Sequence, residues 1–184
     1  MDDNKYELFF LSDLRKKSRY SKRYERDFQL VLDYIFTRID SIAENSTSQF
    51  NKFIQILRRF IPKFLLVTIL NRLRYDSIVG IKKDDDGKHV YCMISFQKHP
   101  ARSMIGMFDI YVNPKDRGRH LKKFNAMAEM IDTLCKRYRK NGYVYLQCGN
   151  NDTTRSILRI FKKMCKRQYP DIGVDVELSR ILLV

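Results

Sequence analysis

Residues 104–134 read MIGMFDIYVNPKDRGRHLKKFNAMAEMIDTL, which predicts a strand, a tight basic turn and a helix. The apolar run 104–112 has the composition of a strand, and Pro114 ends it because proline has no N–H to donate to a sheet. After Gly118, apolar residues recur every three or four positions, as they do along one face of an amphipathic helix. The chain is therefore expected to pass from a sheet into a helix through one short turn.

The turn before this helix has the chemistry of a phosphate-binding site. The N–H groups of a first helical turn have no partner within the helix, and the helix dipole adds partial positive charge there. Gly118 lets a ligand approach the backbone closely. The cations around it are Arg117, Arg119, Lys122 and Lys123. A glycine that only joins a strand to a helix is the alternative interpretation.

The composition indicates a globular chain with a large positive charge. It has 184 residues, of which 44% are hydrophobic, and a formal net charge of +15. Such a basic protein is expected to have a nucleic acid or another polyanion as a partner, with solubility as the alternative explanation of the charge.

The cysteines and the lengths of the apolar runs indicate where in the cell the protein is located. The four cysteines form no CxxC pair and have no histidine at ligand spacing, which argues against a zinc site and for a reducing, cytoplasmic location. The N-terminus lacks the basic region of a signal peptide. The longest apolar run, 64–70, is too short to cross a bilayer, so we expect no membrane partner.

Hydrophobic periodicity predicts most of the remaining elements. Apolar residues over 24–42 recur at helical spacing and predict a helix that ends near Glu44. Ser46 and Gln49 have the spacing of a capping box for a second helix, whereas residues 64–73 are apolar without a clear period and leave helix and strand open. Further predicted elements are strands over 6–11 and 143–148, a helix over 152–166, and one or two short strands over 174–184.

An Asp-Gly step at Asp86-Gly87 lies between the apolar runs 78–81 and 89–96 and predicts a β-hairpin. The three aspartates before the glycine are interpreted as a solvated turn in preference to a metal site. Taken together, the order of elements predicts an α/β fold with a mixed, mostly antiparallel central sheet flanked by helices.

The run 109–121, DIYVNPKDRGRHL, resembles the central motif of the GNAT superfamily of N-acetyltransferases. That motif reads as an apolar strand ending in V-x-P, followed by R-G-x-G and an amphipathic helix. The order of elements is also similar to the GNAT fold, and Asn150-Asn151 resembles the asparagine at the start of the family's next helix. The resemblance implies a single GNAT-like acyltransferase domain over 1–184, mainly helical over 1–76, with the cofactor-binding core over 77–184.

The resemblance also implies a reaction, in which an amine attacks acetyl-CoA or another acyl-CoA directly. Backbone groups of Ile110, Tyr111 and Val112 would bond the pantetheine arm and the thioester. Asp109 lies where acidic residues of some members deprotonate the amine, because an ammonium group has no lone pair with which to attack. The other cofactor-binding positions that it implies are Arg117, Gly118, Arg119, His120, Leu121 and Asn151.

Three positions depart from the family pattern. Lys115 stands where members usually carry glutamine or arginine, and His120 stands where they carry glycine or alanine. Phe161 is nearest to the tyrosine that many members use as a general acid, so we interpret it as core; Tyr169 would substitute only if the chain bends back. These departures leave a non-catalytic GNAT-like interaction protein as an alternative.

A basic segment near the N-terminus supports another alternative, a nucleic-acid binding or base-modifying protein on a GNAT-like scaffold. Its cations would contact phosphates and its tyrosine would stack on a base. In the acyltransferase interpretation the same charge would favour an acidic or nucleic-acid-linked acceptor. A solvated loop and first helical turn is the structural interpretation. The candidate contact residues are Arg15, Lys16, Lys17, Arg19, Tyr20, Lys22 and Arg23.

Overall fold

The structure is a computed structural model and describes residues 6–44, 62–84, 87–113, 120–170 and 172–183. Its strands are β1 (Tyr6–Phe10), β2 (Tyr75–Asp84), β3 (Gly87–His99), β4 (Met104–Val112), β5 (Tyr145–Gln147), β6 (Ile172–Asp175) and β7 (Arg180–Leu183). Its helices are α1 (Leu11–Ser18), α2 (Lys22–Glu44), α3 (Lys63–Arg72), α4 (His120–Arg139) and α5 (Asp152–Gln168), with a 3-10 turn over Pro100–Arg102.

The described strands form one sheet in the order β1-β2-β3-β4-β5-β7-β6. β1 to β4 pair antiparallel, as do β5, β7 and β6. The two groups meet where β4 pairs in parallel with β5. This arrangement confirms the predicted α/β fold with a mixed, mostly antiparallel sheet flanked by helices.

Side chains alternate between two faces of the sheet, and each face has its own core. On the face we call the α4 face, strand residues such as Ile94 and Ile105 pack with Ile131 of α4 and Phe161 of α5. On the opposite α2 face, Met93 belongs to the core that residues of α1, α2 and α3 build with β1 to β4. No helix within the described ranges is long and apolar enough to span a bilayer.

Most elements lie where the sequence predicts them. The helix ending at Glu44, the hairpin of β2 and β3 and the strand Met104–Val112 are confirmed. The undecided segment 64–73 is helix α3, and the predicted strand 143–148 is shorter, at Tyr145–Gln147. The capping box at Ser46 and Gln49 lies outside the described residues.

Helix α1 was not predicted, and the predicted strand 6–11 ends one residue early because Leu11 begins this helix. Its residues carry no local capping side chain. The buried Asp76 of β2 accepts hydrogen bonds from the backbone N–H of Ser12, at 3.2 Å, and from its hydroxyl, at 2.8 Å. A residue that is distant in sequence therefore satisfies the helix start, which local spacing could not reveal.

A buried ion pair fastens α2 to the sheet. Asp27 of α2 is 2% exposed, and its carboxylate accepts from Lys88 Nζ of β3 at 2.7 and 2.9 Å. A carboxylate held this far from water is stable only while its cation is present, because burial of a lone charge is costly.

We therefore predict that Lys88→Met lowers the free energy of unfolding by about 1.5–3 kcal/mol, the range for a hydrogen bond to a charged group. Chemical denaturation at neutral pH would measure it. Lys83→Met, at the exposed end of β2, is the matched control and should change stability little. Equal effects of the two substitutions would contradict the role of the pair.

Candidate functional site

β4 and β5 separate soon after they meet. They pair over only three residues, from Met104↔Tyr145 to Gly106↔Gln147. β4 then continues to Val112 with β3 on its other side, while the chain after Gln147 turns toward α5. A gap therefore opens between the second half of β4 and the residues that follow β5.

A bulge in β4 determines which side chains border this gap. The register of β4 against β3 shifts by one residue at Phe108, because Asp109 lies opposite Ser95 whereas Met107 lies opposite Phe96. An extra residue reverses the alternation of side chains that follow it. As a result Ile110 faces the α4 side, as Met107 does, and both border the same cleft.

The cleft has a volume of about 470 Å³ and a mainly apolar lining. Its walls are formed by β4, α4, α5, Ile181 of β7 and the residues that follow β5, and its polar side chains lie at the start of α5. The apolar lining residues are Met107, Ile110, Met127, Ile131, Ile157, Leu158, Phe161 and Ile181; the others are Cys148, Gly149, Asn151 and Thr154. Such a cleft suits an extended, largely uncharged ligand with a few hydrogen-bonding groups.

The backbone of β4 presents hydrogen-bonding groups to this gap. The N–H of Asn113 donates to the carbonyl of Tyr91 on β3 at 2.8 Å. Backbone groups of successive residues point to opposite sides of a strand. The N–H and carbonyl of Tyr111 therefore face β3, and those of Ile110 and Val112 face the gap.

The predicted pantetheine-binding positions Ile110, Tyr111 and Val112 do not all face the cleft. Ile110 lines the cleft and is 42% exposed. Tyr111 has a buried side chain on the α2 face, where its ring centroid lies 4.7 Å from that of Tyr34. Tyr111 is therefore placed outside the cleft by both its ring and its backbone direction. Its predicted contact with the cofactor is not supported by this placement.

Asn151 borders the cleft as the N-cap of α5. Its side-chain oxygen accepts from the N–H of Thr154 at 2.8 Å. Its amide nitrogen lies 3.5 Å from the point that a side-chain carbon on Gly149 would occupy. Gly149 thus leaves open the space beside this amide, at the end of the cleft where α5 begins.

The remaining predicted site residues are only partly described. Arg117, Gly118 and Arg119 lie outside the described residues, which resume at His120, the first residue of α4. The same holds for the side chains of Asp109, His120 and Leu121. The described residues on either side are Asn113, which follows the strand that borders the cleft, and His120, which begins the helix α4 that contributes to its wall.

Phe161 is core, as predicted. It is fully buried, packs in the α4-face core and forms part of the cleft wall. Tyr169 follows α5, two turns beyond Phe161, where burial and the carboxylates of Glu129 and Asp132 raise its pKa. Tyr169 is thus absent from the residues that line the cleft, and the described lining offers no tyrosine hydroxyl as an acid.

Several lining residues could not be identified from sequence. The sequence gives Cys148 only as the end of a predicted strand and Ile131 only as a member of an apolar helical stripe, and it indicates no role for Gly149 or Met127. Within the described part of the chain, no cluster of three or more histidine, cysteine or acidic side chains could hold a metal ion.

Cys148 is the cleft side chain with nucleophilic chemistry, and burial suppresses that chemistry. Removal from water raises the pKa of its thiol to about 12. Only the thiolate is a good nucleophile, so the thiol is inert near neutral pH. Cys135 and Cys165 are also buried and free, as expected for small core residues.

We predict that Cys148 in the folded protein resists alkylation by iodoacetamide at pH 8, because a thiol with a raised pKa stays protonated until the pH approaches that pKa. Peptide mass spectrometry would measure the modified fraction. Unfolding in denaturant should restore the rate to that of an ordinary cysteine. Fast alkylation of the native protein at Cys148 would contradict the burial.

The basic N-terminal segment is partly used inside the protein. Arg15 donates to the hydroxyl of Thr68 at 2.7 Å, Arg23 pairs with Glu7, and Lys17 lies over the ring of Tyr24 at 5.2 Å. The segment spans the end of α1 and the start of α2. The exposed side chains left between these contacts are Lys16, Arg19, Tyr20 and Lys22. The structure thus divides the seven candidate residues between internal contacts and open surface.

Comparisons with known proteins concern the fold. No protein-family model matches the chain, and no curated protein matches it in sequence. One similar solved structure is an acetyltransferase of the GNAT family from Staphylococcus aureus, with 11% identity and a TM-score of 0.45, covering 87% of this chain and 83% of that one. A Bacillus subtilis acetyltransferase in complex with CoA has 11% identity and a TM-score of 0.37, covering 62% and 79%.

A third similar structure is an IAA acetyltransferase from Bacillus cereus, with 14% identity, a TM-score of 0.36, and coverage of 67% of this chain and 90% of that one. At these values the likeness supplies no site residue and no activity. The chain is thus similar to solved acetyltransferases, and one of them is a member of the GNAT family whose central motif residues 109–121 resemble.

Proposed function

We propose that the chain is an acyl-CoA dependent N-acyltransferase, with acetyl-CoA as the first cofactor to test. The observation that supports this most is the separation of β4 from β5 beside an apolar cleft. The separation gives a ligand access to one edge of β4, while the apolar walls suit a long flexible arm. An open strand edge and an apolar slot together fit a pantetheine chain, which carries amide groups along an aliphatic body.

Each part of the cofactor would have its own contact in this arrangement. The backbone of Ile110 would bond an amide of the arm, since its polar groups face the gap. The turn 114–119 would bind the pyrophosphate through its N–H groups and cations, as the sequence predicts. Asn151 would contact the arm at the end of the cleft where α5 begins. Bound acyl-CoA would supply an acyl group activated as a thioester.

The reaction we propose is direct attack by an acceptor amine. Cys148 stays a neutral thiol in the cleft, so a covalent acyl-cysteine is not part of the proposal. Asp109 follows the bulge on the strand that borders the gap, and we retain it as a candidate base for the amine. The net charge of +15 would concentrate acidic or nucleic-acid-linked acceptors near the protein.

Two isoleucines on α5 provide a test of the cofactor site. Ile157 lines the cleft and is 38% exposed, whereas Ile160 is 50% exposed and lies outside the lining. We expect Ile157→Trp to weaken acetyl-CoA binding about tenfold or more, because the larger ring occupies the cleft. Isothermal calorimetry with acetyl-CoA would measure this.

Ile160→Trp is the control, since it adds the same ring to the same helix away from the cleft. Binding to this variant should match the unsubstituted protein. Equal affinities for all three proteins would remove the cleft from cofactor binding. No heat with any of them would reject acetyl-CoA as the cofactor and leave the non-catalytic alternative.

Asp109→Asn tests the candidate base. If Asp109 takes the amine proton, turnover should fall by about 10²-fold or more at neutral pH, the usual contribution of a general base, while acetyl-CoA affinity stays the same. Steady-state rates with an amine that the protein acetylates give the turnover, and calorimetry gives the affinity for acetyl-CoA. An unaltered rate would remove Asp109 from the mechanism.

A further inference from the structure

The gap between β4 and β5 has a second side, on the α2 face of the sheet. Ile105 and Met107 of β4 are buried in the α4-face core, so the residue between them, Gly106, presents its other side to the α2 face. Gly106 also makes the last pair with β5, opposite Gln147. The base of the gap therefore lies at Gly106. Its second side is on the α2 face, which is opposite the cleft.

The side chain at this point is His99, the last residue of β3. A carbon built on Gly106 would lie 3.5 Å from Nε2 of His99 and 3.7 Å from its Cδ2. The imidazole thus lies in ordinary contact distance of the position that a side-chain carbon on Gly106 would occupy. The absence of a side chain on Gly106 leaves space beside the ring at the position where β4 and β5 part.

The ring of His99 has no hydrogen-bonding or ionic partner among the described residues. Its ring is partly exposed and makes neither a hydrogen bond nor an ion pair with the described part of the chain. His89, in the β2–β3 hairpin, differs in this respect, because its Nδ1 lies 3.1 Å from a carboxylate oxygen of Asp84. Among the described residues, neither nitrogen of His99 has a hydrogen-bonding partner that would compete with a ligand.

The surface beside His99 is left uncovered by the described helices. The α2-face core involves residues of β1 to β4 with α1, α2 and α3, and none of the described side chains of β5 and β7 belongs to it. The side chains that continue the row from His99 across the sheet are partly exposed. Tyr145 of β5 reaches Met104 with its hydroxyl, at 3.5 Å from sulfur, and Arg180 of β7 lies over the Tyr145 ring at 4.5 Å.

The charges around this surface are mostly positive. Lys98 lies next to His99 but over the Tyr138 ring of the α4-face core. Asp175 of β6, opposite Arg180, accepts a hydrogen bond from the N–H of Leu178. On the α2 face, the paired strand positions in and next to the row of His99 carry the titratable side chains of Tyr75, Tyr145 and Arg180, and Arg102 lies in the 3-10 turn that follows His99. Positive charge near an ammonium group favours loss of its proton.

Resting on the proposed acyltransferase function, we propose that the acceptor amine enters from the α2 face and that His99, in place of the candidate Asp109, is the catalytic base that takes its proton. The neutral ring accepts one proton from the ammonium group, which frees the nitrogen lone pair. The nitrogen then bonds the acyl carbon, the C–S bond breaks, and its electron pair leaves with sulfur. The second amine proton ends on that sulfur, and His99 returns its proton to solvent.

The first test needs no acceptor. Diethylpyrocarbonate modifies accessible neutral histidines, and peptide mass spectrometry measures each of them. We expect His99 to react in the free protein and to be protected when acetyl-CoA is saturating, because the proposed reaction requires the thioester to lie at the base of the gap. His89 should react equally in both states, since its hairpin lies outside the cleft.

Two outcomes of this test overturn the role of His99: no reaction in the free protein, or an unchanged rate in protein that calorimetry shows to be saturated. Lack of acetyl-CoA binding in calorimetry has a different meaning, because it rejects the cofactor site and the proposed function with it. The two failures are therefore distinguishable.

The second test uses rates with acetyl-CoA and a panel of primary amines of different charge, namely ethanolamine, glutamate and spermidine. For any amine acetylated, His99→Gln should lower kcat/KM by about 10²-fold or more at pH 7 while acetyl-CoA affinity is unchanged. The defect should shrink as the pH rises, because the free amine then forms without a base. His89→Gln should behave as the unsubstituted protein does.

The pH profile separates a base from a structural residue. A substitution that only loosens the site would lower the rate by a similar factor at every pH, and that outcome would overturn the proposal. The proposal would also be overturned if the rate defect of Asp109→Asn, and not that of His99→Gln, shrinks as the pH rises. If no amine of the panel is acetylated, the diethylpyrocarbonate test decides. Protection of His99 by acetyl-CoA then supports the proposal, and an unchanged rate of modification in saturated protein overturns it.

Discussion

The parallel pairing of β4 with β5 is the constraint on which the site depends. It joins two antiparallel groups of strands into one sheet, and it ends after three residues, at Gly106. Were it longer, the second half of β4 would be covered on both edges, and its backbone could bond only neighbouring strands. Because it stops, the polar groups of Ile110 face a cleft that α4 and α5 cover with apolar side chains.

The bulge at Phe108 and the short pairing act together. The pairing opens one edge of β4, and the bulge changes which face each later side chain occupies. Without the extra residue, Ile110 would lie on the α2 face. With it, Ile110 lines the cleft together with Met107. Tyr111 then lies on the α2 face, where it packs on Tyr34.

The two faces of the gap consequently differ in chemistry. The α4 side is an apolar slot whose one thiol is kept neutral by burial. The α2 side carries an imidazole, a phenol and a guanidinium on partly exposed surface. The apolar side suits a cofactor arm, and the polar side suits a polar acceptor. The two sides meet where β4 separates from β5. This division connects the proposed function with the proposed role of His99.

The sequence by itself determined the elements with a strong local signal: the strand ending at Val112, the hairpin closed at Gly87 and the helix ending at Glu44. Local periodicity and turn chemistry suffice for these. Helix α1, the bulge and the cleft were decided only by tertiary structure. Asp76 caps α1 from a distant strand, register depends on two strands at once, and His99 acquires significance only when it lies beside Gly106. Such relations join residues far apart in the chain, so no local pattern contains them.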